Sequence, residues 1–423
     1  MKAASLSAFF GASLFGIGLP ACAAPASGLT HEVYVWQRAW TEPVRQAVVD
    51  HGGAFASVVV LKAEVTWREG NPYLVQVQVD YRALAKTGRP VGLALRVGPY
   101  QGSFARTNAA ILYLSDLAAR LVAEAKTAGL APSELQLDFD CASSKLEGYR
   151  TWVQVIRERI APVPLGITTL PAWLEEQAFK PLVESAGSFV LQVHSLEQPK
   201  SPEAPFTICD PVAARRAVAR AAEIGVPFRV ALPTYGYLVA FDGQGRFIGI
   251  SAEGPLKGWP AGARLREARA DPLQIAQLVQ DWSSHPPAAL KGILWYRLPV
   301  SGDTLNWHWP TLRAMVAARI PSKSVRVESH RVEPGLFEIS LVNDGELDVS
   351  SRIAAQTRWR EARLVAGDGL RGFELADRKT SSARFETGAQ PYRLPAGEKH
   401  VIGWLRLSED REVQVEIEEF ARP

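Results

Sequence analysis

Strand-like and helix-like patterns alternate between His31 and Ile320, and this alternation constrains the fold more than any other feature of the chain. Amphipathic helical patterns, such as Asn108–Ala128 and Pro211–Gly225, lie between most of the strand-like runs. Strands that alternate with helices over about 290 residues are typical of a (β/α)8 barrel, which we predict at residues 30–320. The predicted strands are Val33–Arg38, Ser57–Val65, Val91–Val97, Leu135–Asp140, Leu165–Thr169, Phe189–His194, Phe228–Pro233 and Gly292–Leu298.

The pattern changes near Pro321, after which no helical period is found. Several runs of period two follow, among them Leu336–Val342 and Val401–Leu407, with a strong turn signal at Asn343-Asp344-Gly345. About 100 residues of this kind are typical of an all-β sandwich. The stretch Leu341–Gly345 is similar to a turn common in bacterial immunoglobulin-like modules. We therefore predict a separately folded accessory β-sandwich of immunoglobulin-like type at residues 323–423.

The first 24 residues predict an export signal, because Lys2 is followed by the apolar run Leu6–Leu19 and then by small residues. That run is too short for a stable membrane span. Leu19-Pro20-Ala21-Cys22 resembles a bacterial lipoprotein processing box, whereas Ala21-Cys22-Ala23 suits an ordinary signal cleavage. Both interpretations remain open. We expect an exported, periplasmic protein that contacts the membrane, if at all, only through a lipid anchor at Cys22.

Composition limits the classes of partner and cofactor. The net charge is only +3 over 423 residues and no run of Lys or Arg stands out, so nothing favours nucleic acid. Cys141 and Cys209 are the cysteines that follow the signal region, and an oxidising compartment permits either a disulfide between them or two inert thiols. Neither has a neighbour at metal-ligand spacing, so we predict no metal site and no cofactor.

The segment Leu135–Cys141 carries the strongest indication of a site. Its residues alternate, so Gln136, Asp138 and Asp140 project from one face of a strand that should be covered on both faces. Paired carboxylates there are costly unless they have partners or perform chemistry. The alternative to a site is a structural network of ion pairs. We predict that Asp138 and Asp140 are catalytic.

Further polar and aromatic residues fall at the predicted carboxyl ends of strands, where barrel enzymes carry their reactive groups. For each of them the alternative is an ion pair, a hydrogen-bonded core side chain or core packing. Flat aromatic rings suit the apolar face of a sugar. The predicted substrate-binding residues are Trp36, Arg38, Lys62, Glu64, Arg96, His194, Tyr235, Trp295 and Arg297.

The predicted site contains more cations than acids, because Arg38, Lys62, Arg96 and Arg297 face only Glu64, Asp138 and Asp140. Arginine binds carboxylate or phosphate through a planar fork. This surplus predicts that the bound polysaccharide or oligosaccharide is anionic or strongly polar. The alternative is that the cations only neutralise the acids.

Three segments resemble, in the same order, those of family-18 glycoside hydrolases, the chitinase-like barrels. Gln136-x-Asp138-x-Asp140 occupies the place of their fourth-strand Asp-x-Asp-x-Glu motif, and Val230–Tyr237 is similar to their seventh-strand Pro-x-Tyr-Gly segment. Gly292–Trp295 is similar to their eighth strand, which implies that Trp295 forms the floor of a sugar site. The whole chain also resembles a bacterial family, domain of unknown function 3142, which is placed among the glycosidase-like barrels.

The chain departs from the chitinase-like pattern at important positions. If Asp140 aligns with the general acid, aspartate replaces glutamate and Gln136 replaces the first aspartate; in the other alignment the acid position falls on Ala142. Leu191–Ser195 lacks the Tyr-Asp pair that holds an acetamido group, so chitin is not favoured. We predict an exported glycoside-hydrolase-like protein that acts on a cell-envelope or extracellular polysaccharide, with Asp140 as proton donor. The alternatives are a non-catalytic carbohydrate-binding barrel and an envelope scaffold lipoprotein.

Overall fold

The structure is a computed structural model that describes residues 28–195, 199–252 and 258–420. The predicted export signal at residues 1–24 lies outside the described residues. Within those ranges the first part of the chain contains the strands β1 (Thr30–Val35), β2 (Val58–Arg68), β3 (Asn71–Gln76), β4 (Val91–Val97), β5 (Glu134–Phe139), β6 (Leu165–Thr169), β7 (Phe189–Gln192), β8 (Phe228–Pro233), β9 (Gly236–Phe241), β10 (Phe247–Ser251), β11 (Arg264–Arg269) and β12 (Leu290–Tyr296).

Eight of these strands form a closed parallel barrel. Their order is β1, β12, β8, β7, β6, β5, β4 and β2, and β1 also pairs with β2, which closes the sheet. The predicted (β/α)8 barrel is therefore confirmed. The other strands follow barrel strands: β3 pairs with β2 as a hairpin, and β9 lies between β10 and β11 in an antiparallel sheet that follows β8.

The helices of the barrel surround the sheet, and their ends follow simple sequence rules. Asp80, Asp210 and Asp271 each cap a helix by accepting hydrogen bonds from backbone N–H groups of its first turn. None of the described helices is long and apolar enough to cross a membrane. They are α1 (Glu42–His51), α2 (Tyr81–Lys86), α3 (Ala109–Thr127), α4 (Leu146–Ile160), α5 (Phe179–Ala186), α6 (Pro211–Ile224), α7 (Pro272–Ser284) and α8 (Trp309–Val316).

The predicted β-sandwich is also confirmed. Two antiparallel sheets enclose a hydrophobic core that includes Ile339, Ile353, Phe385 and Leu405 and is separate from the barrel core. One sheet has the order β13, β14, β20 and β16, and the other contains β17, β18, β15, β19 and β21. The strands are β13 (Val325–Glu333), β14 (Leu336–Asn343), β15 (Val349–Arg358), β16 (Leu364–Gly369), β17 (Phe373–Ala376), β18 (Ser382–Thr387), β19 (Tyr392–Leu394), β20 (Lys399–Leu407) and β21 (Gln414–Phe420).

The amino end of the barrel is closed from within by an ion-pair network. Arg229 on β8 lies 2.6 Å from Glu32 on β1 and 2.7 Å from Glu134 on β5. Since β8 is not a neighbour of either strand in the sheet, these bonds must cross the interior. Above them, the Tyr34 hydroxyl donates to Gln136 Oε1 over 2.5 Å. In the part of the chain that the structure describes, the interior is therefore open to a ligand from the carboxyl ends of the strands, here called the barrel mouth.

Candidate active site at the barrel mouth

Asp138 on β5 lies inside the mouth, and its side chain is 11% exposed. Its Oδ1 accepts hydrogen bonds from Thr168 Oγ1 at 2.6 Å and Gln192 Nε2 at 3.4 Å. Burial raises the pKa of the Asp138 carboxyl, and these hydrogen bonds together with the Arg96 charge only partly oppose that rise. Asp138 therefore holds its proton more tightly than an ordinary aspartate.

Asp140 directly follows β5 at the rim of the mouth, with its side chain 53% exposed. Its Oδ2 lies 3.7 Å from Arg96 Nη2. Since residues two apart on a strand share one face, Asp138 and Asp140 both point to the barrel axis, the first deep and the second near solvent. Asp140 is thus the carboxyl group better placed to reach a leaving-group oxygen.

Arg96 lies between three carboxylates because the register of the sheet places them side by side. Glu64 on β2 is the partner of Arg96 on β4, and Arg96 is the partner of Asp138 on β5. Glu64 Oε1 lies 4.0 Å from Arg96 Nη1, and Asp138 Oδ2 lies 3.8 Å from Arg96 Nε. Glu64 also pairs with Arg38 at 2.6 Å. The mouth is therefore a charged cluster contributed by neighbouring strands.

An aromatic wall lies opposite these charges, and Tyr296 at the end of β12 is its centre. The Tyr296 ring centroid lies 5.5 Å from Trp36, 5.8 Å from Tyr34, 5.4 Å from Tyr235 and 5.5 Å from His194. These rings come from β1, β7, β8 and β12 or lie within two residues of their ends. Such a wall offers apolar surface with polar edges, which suits a sugar ring.

The polar edges of this wall are neutral at physiological pH. Burial lowers the pKa of His194 to about 4, and His194 Nδ1 lies 3.1 Å from the Tyr235 hydroxyl. His194 Nε2 is buried without a hydrogen-bond partner among the described residues. Burial, together with the Asp138 charge, raises the pKa of Tyr296. These groups can therefore position a ligand without adding charge.

The mouth brings together most of the residues predicted from the sequence. Lys62 is a correction. The register of β2 and β4 shifts between Leu61 and Ala63, and Lys62 Nζ donates to Val77 O at 2.9 Å and pairs with Glu124 of α3 at 2.7 Å. Its side chain is 0% exposed. Lys62 therefore lies outside the mouth, against α3, although the sequence analysis placed it among the substrate-binding residues. The residues predicted from the sequence that lie at the mouth are Trp36, Arg38, Glu64, Arg96, Asp138, Asp140, His194 and Tyr235.

Trp295 is a second correction. It is fully buried in the core between the barrel strands and the helices, and its Nε1 donates to His31 Nδ1 at 3.1 Å. Alternation on β12 sends Leu294 and Tyr296 inward and Trp295 outward. The floor position expected for Trp295 is thus taken by Tyr296, a residue that the motif-based comparison missed by one position.

Arg297 pairs with Asp303 of the following loop at 3.0 Å, and both side chains are nearly buried, at 11% and 7% exposed. Lys62 is paired with Glu124 and Arg297 with Asp303, so among the described residues Arg38 and Arg96 are the cations that face Glu64, Asp138 and Asp140. The sequence analysis also missed Thr168 and Gln192, because an uncharged polar residue on a buried strand gives no charge signal.

The disulfide predicted as one alternative for the cysteines is not formed: Cys141 and Cys209 are both buried free thiols. Burial raises the pKa of each thiol to about 12, which makes both poor nucleophiles. In the described part of the chain, no group of three or more His, Cys, Asp and Glu could hold a metal ion.

A cleft of about 470 Å³ lies away from the mouth, between α1, the start of α8 and the sandwich. Its lining includes Glu42, His51, Trp309 and Glu398. Its acids already have partners: Glu42 pairs with Arg45 at 2.9 Å, Asp50 accepts from Gln46 Nε2 at 2.8 Å, and Glu398 lies 2.8 Å from His400 Nε2. The barrel mouth, where Glu64 of β2 meets Asp138 of β5 and Asp140 just after that strand, is therefore the better candidate for chemistry.

Comparison with protein families finds two matches. The family described as domain of unknown function (DUF3142) matches residues 87–301, which are 215 of the 423 residues. A second family, also described as a domain of unknown function (DUF8456), matches residues 326–408 within the sandwich. A comparison with curated protein sequences finds no match.

Several solved structures are similar to this chain. A chitinase from Chromobacterium violaceum ATCC 12472 is 15% identical with a TM-score of 0.48, and the match covers 69% of this chain and 98% of that one. The spore cortex-lytic enzyme SleL from Bacillus megaterium QM B1551 is 13% identical with a TM-score of 0.47, covering 70% and 75%. A family GH18 chitinase from Chromobacterium violaceum is 12% identical with a TM-score of 0.43, covering 92% and 90%. None of these similarities identifies a reaction for this chain.

Proposed function

This chain belongs to the family described as domain of unknown function (DUF3142), and we propose that it is a glycoside hydrolase that cleaves a polysaccharide at the barrel mouth. The observation that carries the proposal is the arrangement of Glu64, Asp138 and Asp140 at one end of the barrel, opposite the aromatic wall. Glycosidases work with carboxyl groups that flank the scissile bond. Aromatic rings beside them suit the apolar face of a sugar.

In the proposed reaction Asp140 donates its proton to the glycosidic oxygen. The bond between C1 and that oxygen breaks, and its electron pair stays on the oxygen. Water then adds to C1 and returns a proton to Asp140, so one water is consumed for each bond cleaved. Asp138, held by Thr168 and Gln192, orients Asp140 and stabilises positive charge on the sugar ring.

The aspartate at position 140 sets a requirement on the substrate's position. Its carboxyl group is one methylene shorter than that of a glutamate, so the sugar must lie about 1 Å deeper to receive the proton. The aromatic wall would hold it there, with Trp36 and Tyr296 against the ring and the bonded pair of His194 and Tyr235 against its hydroxyls.

We place this activity outside the cytoplasm, on a cell-envelope or extracellular polysaccharide, because of the signal-like residues 1–24. The protein would be periplasmic, either soluble or anchored by lipid at Cys22. Mass spectrometry of the protein from its host should find a chain that begins at Cys22 with lipid or near Ala24 without it. Recovery of intact Met1 from the envelope would contradict both forms.

A non-catalytic carbohydrate-binding barrel is the second candidate. It is favoured by the long distances from Arg96 to its acids, 3.7 to 4.0 Å, which leave guanidinium N–H groups for a ligand whether or not a bond is cleaved. An envelope scaffold is less favoured, because Asp140 and Arg96 are 53% and 42% exposed at the mouth instead of covered.

Turnover by site variants distinguishes these candidates. The purified protein is incubated with a panel of envelope and extracellular polysaccharides, and new reducing ends are measured. Asp140→Asn should lower kcat at least about 100-fold with affinity within a few-fold, and Asp138→Asn should also lower it. Asp116→Asn on α3, which removes an exposed carboxyl group paired with Arg159 at 3.1 Å, is the control.

Undiminished turnover by Asp140→Asn would remove Asp140 as the acid and make Glu64 the next carboxyl group to test. Wild-type binding without any turnover, lost in Tyr235→Phe or Trp36→Ala, would instead establish the carbohydrate-binding candidate.

A further inference from the structure

Among the described residues, the charges at the barrel mouth are close to balanced, with a slight excess of acid. Arg38 and Arg96 face Glu64, Asp138 and Asp140 there, while Lys62 pairs with Glu124 and Arg297 with Asp303. The charged groups that act on Arg96 are Asp138, Asp140 and Glu64, together with the phenol of Tyr296. A carboxylate or phosphate on the ligand would meet these acids as well as the two arginines.

The two arginines are not equivalent. Arg38 is held by Glu64 at 2.6 Å, a direct ion pair. Arg96 lies 3.7 Å from Asp140, 3.8 Å from Asp138 and 4.0 Å from Glu64, all longer than a hydrogen bond between charged groups. Within the described part of the chain, the Arg96 guanidinium is thus centred among acids while its N–H groups remain available to a ligand.

The hydrogen-bonding capacity of each candidate ligand group decides which one fits. A carboxylate only accepts hydrogen bonds, so it would pair with Arg96 and be repelled by the acids. An ammonium group only donates, so it would pair with the acids and be repelled by Arg96. A hydroxyl group accepts from Arg96 and donates to Asp140 or Glu64 at the same time. Only the hydroxyl satisfies both kinds of neighbour.

We infer that the mouth selects an uncharged, hydroxyl-rich saccharide and that Arg96 is the residue that determines this specificity. Arg96 donates to hydroxyl oxygens of the sugar, and Asp140 or Glu64 accepts from the same hydroxyls. The inference rests on the proposed function, whose substrate class it names, and it replaces the anionic sugar expected from the sequence.

Binding of matched saccharides tests the inference without turnover. The probes are thio-linked hexamers of glucose, glucuronate and glucosamine, each in several linkages, since a sulfur bridge resists hydrolysis. Isothermal titration calorimetry with the full chain should find the tightest binding to a glucose hexamer, at least tenfold tighter than to its charged counterparts. That binding should change little with salt.

Two variants test whether binding of the glucose hexamer depends on Arg96. Arg96→Gln should weaken binding of the glucose hexamer at least tenfold, whereas Arg159→Gln on α4 removes an equal charge far from the mouth and should leave it unchanged. Thermal unfolding and circular dichroism establish that both variants are folded.

Tighter binding of a glucuronate or glucosamine hexamer would overturn this inference and leave the proposed hydrolase in place. Unchanged binding in a folded Arg96→Gln variant would do the same. Failure of every hexamer to bind, with no turnover of any polysaccharide, would overturn both proposals.

Discussion

At the scale of single residues, the two aspartates of β5 differ in environment although they share a face. Asp138 is buried and bonded to Thr168, whereas Asp140 is half exposed at the rim. Burial raises the pKa of Asp138, so its ionised form costs folding free energy at neutral pH. A carboxyl group kept in such a place, with Arg96 Nε as far as 3.8 Å away, is typical of a functional site.

Asp138→Asn should therefore stabilise the protein at neutral pH. Because the folded-state pKa is raised, the contribution of Asp138 to stability is fully present below its ordinary pKa and is lost as pH rises through the raised value. Calorimetry should find the Tm of the variant higher than wild type by at least about 2 °C near pH 7.5. The difference should shrink toward pH 4.

Asp116→Asn, on the surface of α3, should change the Tm little at either pH, because exposed ion pairs contribute little. A lower Tm for Asp138→Asn near pH 7.5 would mean that the ionised carboxylate is stabilised by Arg96 after all.

Thr168→Val should raise the pKa of Asp138 further. The Thr168 hydroxyl donates to the carboxylate at 2.6 Å and so favours its charged form. Carbon-13 NMR of the Asp138 carboxyl across pH measures the shift. The matched control is Thr169→Val, whose hydroxyl donates instead to Val190 O at 3.3 Å. An unchanged titration in Thr168→Val would show that this hydrogen bond does not tune Asp138.

The sequence predicts the charged members of the mouth because charge is visible at period two along a buried strand. Thr168 and Gln192 carry no charge, so only the folded register reveals that they hold Asp138. The motif resemblance points to Trp295 because it gives a position along the chain, whereas the folded strand shows that Leu294 and Tyr296 face the barrel interior.

At the scale of elements, the first and last barrel strands along the chain, β1 and β12, pair with each other, and a histidine lies in that seam. Trp295 Nε1 donates to His31 Nδ1 at 3.1 Å, which requires His31 Nδ1 to be unprotonated. Burial lowers the pKa of His31 to about 4 from an ordinary 6.5. Proton uptake by His31 on acidification therefore opposes the pairing of the first and last strands.

Acidification should loosen this seam before the rest of the barrel. Because the folded-state pKa is depressed, stability is fully present above pH 6.5 and declines as pH falls toward 4, by at most about 3 kcal/mol for this group. Hydrogen exchange, corrected for the intrinsic effect of pH, should show β1 and β12 losing more protection between pH 7 and 5 than β5 and β6. His31→Gln should remove that difference, and equal loss in all four strands would contradict the role of His31.

The sequence predicts the bounds of a strand well where an apolar run covers the whole strand. Val91–Val97, Leu165–Thr169 and Phe228–Pro233 were predicted with the bounds that β4, β6 and β8 have. The sequence does not predict which face of β2 carries Lys62. The register shift between Leu61 and Ala63 decides this, and an apolar run gives no sign of such a shift.

At the scale of the whole molecule, the barrel and the sandwich have separate cores and a polar interface. Arg393 donates to Thr304 O at 2.8 Å and pairs with Asp348 at 2.6 Å, and Asp348 also pairs with His308 at 2.8 Å. Separate folding of residues 323–423 remains a prediction. If the barrel and the sandwich unfold together, these contacts are what couples them.

Arg393→Ala should weaken that coupling without unfolding either part, since it removes the bond to Thr304 O of the barrel and one partner of Asp348. Differential scanning calorimetry should resolve two unfolding transitions in the variant, and their midpoint temperatures should differ more than in wild type. The control is Arg358→Ala on β15, whose exposed partner Glu416 lies within the sandwich at 3.2 Å. One cooperative transition that shifts as a whole in Arg393→Ala would show that the barrel and sandwich unfold as one unit.

The central claim is that the barrel mouth binds and cleaves a saccharide. A crystal structure of Asp140→Asn with an oligosaccharide substrate tests it most directly. The account predicts a sugar ring against Tyr296, a hydroxyl within hydrogen-bond distance of Arg96, and the glycosidic oxygen within about 3 Å of the side chain at position 140. A saccharide bound only in the cleft beside Trp309, with the mouth empty, would contradict it.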